Sequence, residues 1–252
     1  MKILLTILFI IFMTKLEANT SCVAHRGNSE YFFQNSLSSL KSAYEIGSDG
    51  IEFDVVHTQD DKGIVFHDKT LHRLAKDKPS RDCPRRKLIK HLSLKEIKEN
   101  CLLKNDEEIP TLDEVLTYFI YKDVTLFIEF KDVPSFSTVT LISEHLTYNP
   151  AKYLRLISFK KKALEYAQQV PRLKKVKALR LYHHWCPKIK KSSYGADIKW
   201  FKGILKKLAK LKNVETSVYT INSPKKMQKL IDEGVDYITT DDPQACLKLT
   251  KP

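Results

Sequence analysis

What most restricts the fold is a regular alternation running through nearly all of the 252-residue chain. Short apolar runs of strand length are followed by amphipathic segments of helix length. Strands are expected at Ser21–Ala24, Ile51–Val55, Val124–Phe130, Leu154–Phe159, Val176–Leu181, Tyr194–Ala196, Glu215–Thr220 and Val235–Thr239. Helices are expected at 36–46, 111–121, 136–147, 160–169, 198–211 and 224–233, with a short one at the C-terminal end. Asn35 or Ser36 suits the first as a cap, and Thr111-x-x-Glu114 has the spacing of a capping box. Eight strands alternating with helices over about 230 residues fit a (β/α)8 TIM barrel, an α/β fold. The rival doubly wound sheet requires a Gly-rich phosphate turn after its first strand. The chain has only seven glycines and neither GxGxxG nor GxxxxGK[ST].

Within that frame the stretch Gly50–Asp68, GIEFDVVHTQDDKGIVFHD, carries the chemistry. Ile51, Phe53 and Val55 alternate with Glu52 and Asp54, so the two carboxylates share one strand face. Both charged, they repel, which calls for a cation between them or a raised pKa. Gly63–Phe66 returns after the turn residues 59–62 and delivers His67-Asp68. Read alone, the stretch is either an active site or a solvent-facing edge hairpin with ordinary acids. A barrel gathers the C-terminal ends of its strands at one mouth. His25, Arg26, Glu52, Asp54, Glu129, Lys131 and Tyr219 all fall at such ends.

Residues 69–108 break the alternation with charge, Pro79, Pro84 and the run Arg85-Arg86-Lys87. Forty residues are too many for a plain connection. They are expected as an insertion after the second strand, lying over the site, with a helix at Ser93–Asn100 opened by Ser93-x-x-Glu96. At the other extreme, Lys2, the apolar run Ile3–Met13 and Leu16-Glu17-Ala18 read as a signal peptide over residues 1–18. The run is short of the roughly 20 residues of a membrane span. The expectation is an exported chain, periplasmic or secreted, with a single domain over 19–252. All five cysteines lie beyond the leader. Export permits disulfides, and Cys83 and Cys101, bracketing one irregular segment, are the expected pair. The formal net charge is +13, and loss of the leader lowers it by one. Its lysine pairs sit at the spacings of solvated helix faces, and no interleaved aromatics offer a base-stacking platform. Nucleic acid is therefore not the expected partner, whereas weak association with an anionic membrane surface stays open.

Taken together the motifs resemble the glycerophosphodiester phosphodiesterase family. They are His25-Arg26-Gly27, Asn35, Gly50-Ile51-Glu52-Phe53-Asp54-Val55, Thr58-x-Asp60, His67-Asp68 and Ile109-Pro110-Thr111-Leu112-Asp113-Glu114-Val115. Glu129-x-Lys131, Ser158-Phe159, Tyr219-Thr220-Ile221-Asn222, Gly234-Val235-Asp236 and Thr240-Asp241-x-Pro243 complete the series. The resemblance implies hydrolysis of a small phosphodiester to glycerol 3-phosphate and an alcohol. In the family the glycerol hydroxyl is thought to attack first, giving a cyclic phosphate that water opens. Phe33-Gln34 stands where the family usually has Pro-Glu, and Tyr219 where it usually has Trp.

The residues suit that reaction. Glu52, Asp54 and Glu129 are hard oxygen ligands for one divalent cation, Ca²⁺ or Mg²⁺. Arg26 and Lys131 would neutralise phosphate charge, with Tyr219 as an aromatic wall for the substrate. His25 and His67 suit a base and acid pair, with either order open. The rivals are a phospholipase D-like enzyme acting on lysophospholipid or sphingomyelin, and a non-catalytic anion- or nucleic-acid-binding barrel. His183-His184 is read as structural.

Overall fold

The computed structural model describes residues 20–182, 194–198 and 215–251. Its centre is a closed ring of eight parallel strands. Five are β1 (Ser21–His25), β2 (Gly50–His57), β6 (Thr125–Phe130), β7 (Leu154–Ser158) and β8 (Lys177–Tyr182). The others are β9 (Tyr194–Ile198), β10 (Thr216–Val218) and β11 (Tyr237–Thr240). β1 pairs with both β2 and β11, which closes the sheet on itself, as the alternation requires. The strand expected at Tyr194–Ala196 is β9. The helix expected at 198–211, the leader and His183-His184 lie outside the described residues.

Helices α1 (Leu37–Glu45), α3 (Leu112–Tyr118), α4 (Phe136–His145), α5 (Lys161–Ala167), α6 (Pro224–Asp232) and α7 (Pro243–Thr250) connect or follow the strands. Ser36 caps α1 through Ser39 N, and Thr111 with Glu114 forms the capping box of α3. α3 stops at Tyr118, short of the expected Tyr121, which has φ of 61°. The period-2 pattern decides what each strand buries. Ile51, Phe53, Val55, Ile128 and Phe130 face outward into the core shared with α1, α3, α4 and α5. Phe53 is completely buried, a gain of about 2–3 kcal/mol over an exposed ring. Val23, Phe127, Ile157, Leu179 and Leu181 fill the barrel interior.

The second strand continues past the ring and pairs antiparallel with β3 (Gly63–Val65). Residues 69–108 build on this hairpin. β4 (Ala75–Asp77) pairs antiparallel with β5 (Cys101–Leu103), and α2 (Leu94–Asn100) carries the Ser93–Glu96 capping box. Leu71, Leu74, Ile89, Leu92, Ile97 and Leu103 bury themselves with Val56, Ile64 and Phe66 of the hairpin. The Cys83–Cys101 disulfide, as expected, ties the segment together. A second one, Cys22–Cys246, joins β1 to α7 across 224 residues with Cα atoms 5.9 Å apart. Nothing in the spacing of the cysteines announced it.

Candidate active site

Strand register assembles the site before any side chain is considered. His25 lies beside Glu52, and Asp54 beside Glu129. In a parallel pair such neighbours project from the same face, here into the mouth of the barrel. After His25 the chain turns sharply, with positive φ at Arg26 (57°) and Gly27 (86°). A Cβ on Gly27 would sit 2.4 Å from Ser39 Oγ and 2.5 Å from its carbonyl carbon, so only glycine fits. The turn folds Arg26 back over the carboxylates. Its backbone N–H donates to Glu52 Oε2 at 3.0 Å, and Nε lies 3.1 Å from Asp54 Oδ2. Its Nη1 donates to Gln34 Oε1 at 2.6 Å.

Glu52, Asp54 and Glu129 are all buried, and one ligand oxygen of each lies within 4.8 Å of the others. Burial pushes the Glu52 carboxyl well above its usual range, reinforced by the charges of Asp54 and Glu129. Burial also drives Glu129 up, with Asp54 adding to it, to about 7 against the opposing Lys131 cation. Burial would raise Asp54 too, but Lys131, Arg26 and His67 and the Asn35 hydrogen bond outweigh it and hold Asp54 at about 2. Asn35 is matched to Asp54 on both sides. Its Nδ2 donates to Oδ2 at 2.7 Å, while Asp54 N donates to its Oδ1 at 3.2 Å. Lys131 Nζ bridges Glu129 Oε1 (2.7 Å) and Asp54 Oδ1 (3.1 Å).

This trio fits a divalent cation. Glu52 Oε1 is buried with no hydrogen-bond partner, and Asp54 Oδ1 accepts no hydrogen bond, having only the Lys131 charge beside it. Unsatisfied buried carboxylate oxygens are costly, and a hard cation is the ligand that such donors satisfy.

The two histidines are built alike. His25 Nδ1 lies 2.6 Å from Asp241 Oδ1, and its Nε2 is 4.0 Å from Glu52 Oε2. His67 Nδ1 lies 2.6 Å from Asp68 Oδ1. Burial alone would raise both aspartates. Hydrogen bonds from His25, Asn222 and Ser29 instead hold Asp241 at about 2, and Arg73 with His67 holds Asp68 low. An ionised carboxylate only accepts, so Nδ1 carries the proton in each ring and Nε2 is its other, separate titrating nitrogen. Burial, helped by the Lys131 and Arg26 charges, lowers His67 against Asp54 and Asp68, which raise it. The Tyr219 ring meets the Phe159 ring edge-on at 5.8 Å, and its hydroxyl donates to the Tyr182 carbonyl at 2.5 Å.

All eight candidate site residues are described, and His25, Arg26, Glu52, Asp54, Glu129 and Lys131 form one connected cluster. His67 acts on it through its field at Asp54. Gln34, Arg73 and the roles of Asp241 and Asn222 were missed. Asp241 is 216 residues from His25 in the chain, and only the β1–β11 pairing makes them neighbours.

The chain is similar to known proteins in sequence and fold. The model of the Glycerophosphoryl diester phosphodiesterase family matches residues 25–245. A glycerophosphodiester phosphodiesterase of Caldanaerobacter subterraneus subsp. tengcongensis is 29% identical over 247 residues, covering 92% of this chain and 98% of its own. The crystal structure of a glycerophosphodiester phosphodiesterase from Parabacteroides distasonis superposes with a TM-score of 0.72 at 28% identity, covering 92% and 97% of the two chains. An Oleispira antarctica phosphodiesterase, solved with the product sn-glycerol-3-phosphate, shares the fold with a TM-score of 0.77 at 23% identity and the same coverage. With the family model matching most of the chain, the chain belongs to the glycerophosphoryl diester phosphodiesterase family of phosphoric diester hydrolases.

Proposed function

We propose that this protein hydrolyses glycerophosphodiesters to glycerol 3-phosphate and an alcohol, with Glu52, Asp54 and Glu129 holding a divalent cation. One observation carries the reading. Two imidazoles, each with Nδ1 fixed 2.6 Å from a carboxylate, stand at a buried oxygen cluster flanked by Arg26 and Lys131. When bound, the cation supplies Lewis-acid stabilisation of phosphate charge. Arg26 and Lys131 bind the phosphodiester anion and meet the charge that builds on its equatorial oxygens. One histidine Nε2 takes the proton of the substrate's attacking glycerol hydroxyl. The other gives its proton to the departing alkoxide oxygen as the P–O bond breaks, leaving a cyclic phosphodiester. For its opening the roles exchange: a proton leaves water for one ring and reaches the glycerol oxygen from the other. The Tyr219 and Phe159 rings supply an apolar wall to the interior near this mouth.

The test is a panel of glycerophosphodiesters together with lysophosphatidylcholine, assayed with EDTA and with Ca²⁺, Mg²⁺ or Mn²⁺ restored. Glycerol 3-phosphate released only with metal supports the reading. His25→Ala and His67→Ala should each lower turnover about 10²–10⁴-fold while metal stays bound. Full turnover in both variants, or choline release from lysophosphatidylcholine alone, refutes it.

A further inference from the structure

We propose that Arg73, contributed by the 69–108 segment, is a positioning residue of the reaction: it locks Asp68 as the anionic acceptor that fixes the orientation and tautomer of His67. The inference rests on the reading that His67 transfers a proton. Its geometry is a three-link chain. Arg73 Nε donates to Asp68 Oδ2 at 2.7 Å and Arg73 Nη2 to Oδ1 at 2.8 Å, the paired fork that a guanidinium makes with a carboxylate. The same Oδ1 receives His67 Nδ1 at 2.6 Å. With both oxygens engaged by one planar cation, the Asp68 carboxylate cannot rotate away from the imidazole.

The backbone bearing Arg73 is itself anchored. Leu71 and Leu74 on either side are buried in the cluster under the segment, and Ala75 N donates to Leu71 O at 2.9 Å. The arginine side chain is half exposed, so it fills no core volume. The partner of the other histidine is made differently. Asp241 receives Asn222 Nδ2 at 2.6 Å and Ser29 Oγ at 3.2 Å, both neutral donors. The segment thus supplies the only cation bonded to either supporting aspartate among the described residues.

Charge adds a direction. The groups acting on His67 are Asp54 and Asp68, which favour its protonation, and Lys131 and Arg26, which oppose it. Arg73 neutralises part of Asp68. Without it, Asp68 holds the imidazolium more firmly and His67 protonates at higher pH.

The experiment compares Arg73→Gln, Arg73→Lys and the control Arg85→Gln in the metal-loaded protein. Arg85 pairs with Asp77 within the same segment, and neither is among the groups acting on His67, Asp68 or Arg73. Turnover of glycerophosphocholine is measured against pH, and ¹⁵N shifts of the His67 ring are recorded by NMR. Arg73→Gln should lower kcat about 10–100-fold with KM within about twofold. The His67 titration should move upward and its Nδ1–H tautomer signature weaken. Lysine restores charge but not the fork, so Arg73→Lys should return the titration toward wild type and leave kcat low. Unchanged His67 shifts and kcat in Arg73→Gln overturn the proposal. Equal losses in Arg85→Gln also overturn it, since they reduce Arg73 to support of the segment. The NMR readout does not depend on substrate, so an inactive wild type would sink the functional reading and still decide the role of Arg73.

Discussion

Removing the proposed cation from the triad should destabilise the barrel by an amount that grows with pH. The magnitude follows from Glu129, held at about 7 in the folded chain against roughly 4.3 when unfolded. A carboxyl whose folded value is raised contributes its full stability below the unfolded value and loses it as pH rises through the folded one. About 2.7 units at 1.36 kcal/mol each give a full loss of about 4 kcal/mol, of which about 3 kcal/mol falls between pH 4.5 and 7. Glu52, raised for the same reasons, adds in the same direction. A bound cation reverses the loss by favouring the charged forms. The assay is urea unfolding in EDTA and in excess Ca²⁺ or Mg²⁺ at pH 5 and pH 8. The stability gap between the two solutions should be wider at pH 8 by about 3 kcal/mol, equivalent to a Tm difference of about 6–12 °C for a chain of this size. Glu129→Gln in EDTA should lose that much of the pH dependence and respond little to metal. An equal gap at both pH values, or a Glu129→Gln variant as pH-sensitive as wild type, would refute the reasoning.

Other outcomes are expected elsewhere in the molecule. His145, buried on α4, is pushed down to about 4 by burial alone. A depressed base supports stability above its unfolded value of ~6.5 and loses it as pH falls toward 4, here by at most about 3 kcal/mol; pH-dependent denaturation of His145→Leu should lack this loss. Replacing Cys22 and Cys246 together with alanine should cost about 2–4 kcal/mol by urea unfolding under oxidising conditions, and an unchanged midpoint would show the crosslink inert. Protein recovered outside the inner membrane should begin at Asn19, and N-terminal sequencing that returns Met1 would end the export proposal.

Some of the molecule was legible because it is local. The period-2 strand Ile51–Val55 states in its own letters that Glu52 and Asp54 share a face opposite Phe53. Ser93-x-x-Glu96 and Thr111-x-x-Glu114 announced helix starts that proved to be capping boxes. Other features depend on ring closure and carry no local signal. Asp241 reaches His25, and Cys246 reaches Cys22, only because β11 returns beside β1. Arg73 sits in a charged stretch without periodicity, and its fork on Asp68 is visible only once the Leu71 and Leu74 anchors are placed. Tyr219 was expected as an aromatic wall for the substrate; its hydroxyl bond to the Tyr182 carbonyl and its edge-on contact with Phe159 are long-range and carry no local signal.

On the proposed export route the chain enters an oxidising space N-terminus first, and the pairing of Cys22 with Cys246 then sets an order of events. Cys22 arrives early and meets Cys83 and Cys101 before its own partner exists there. Its loop of 224 residues must outlast that encounter, while Cys83 and Cys101, separated by 18 residues, find each other readily. A premature bond from Cys22 to either would leave the first strand tethered to the wrong wall of the barrel. Maturation therefore calls for thiol–disulfide exchange to reshuffle such bonds, and production of this protein should depend on a disulfide isomerase and not on an oxidase alone.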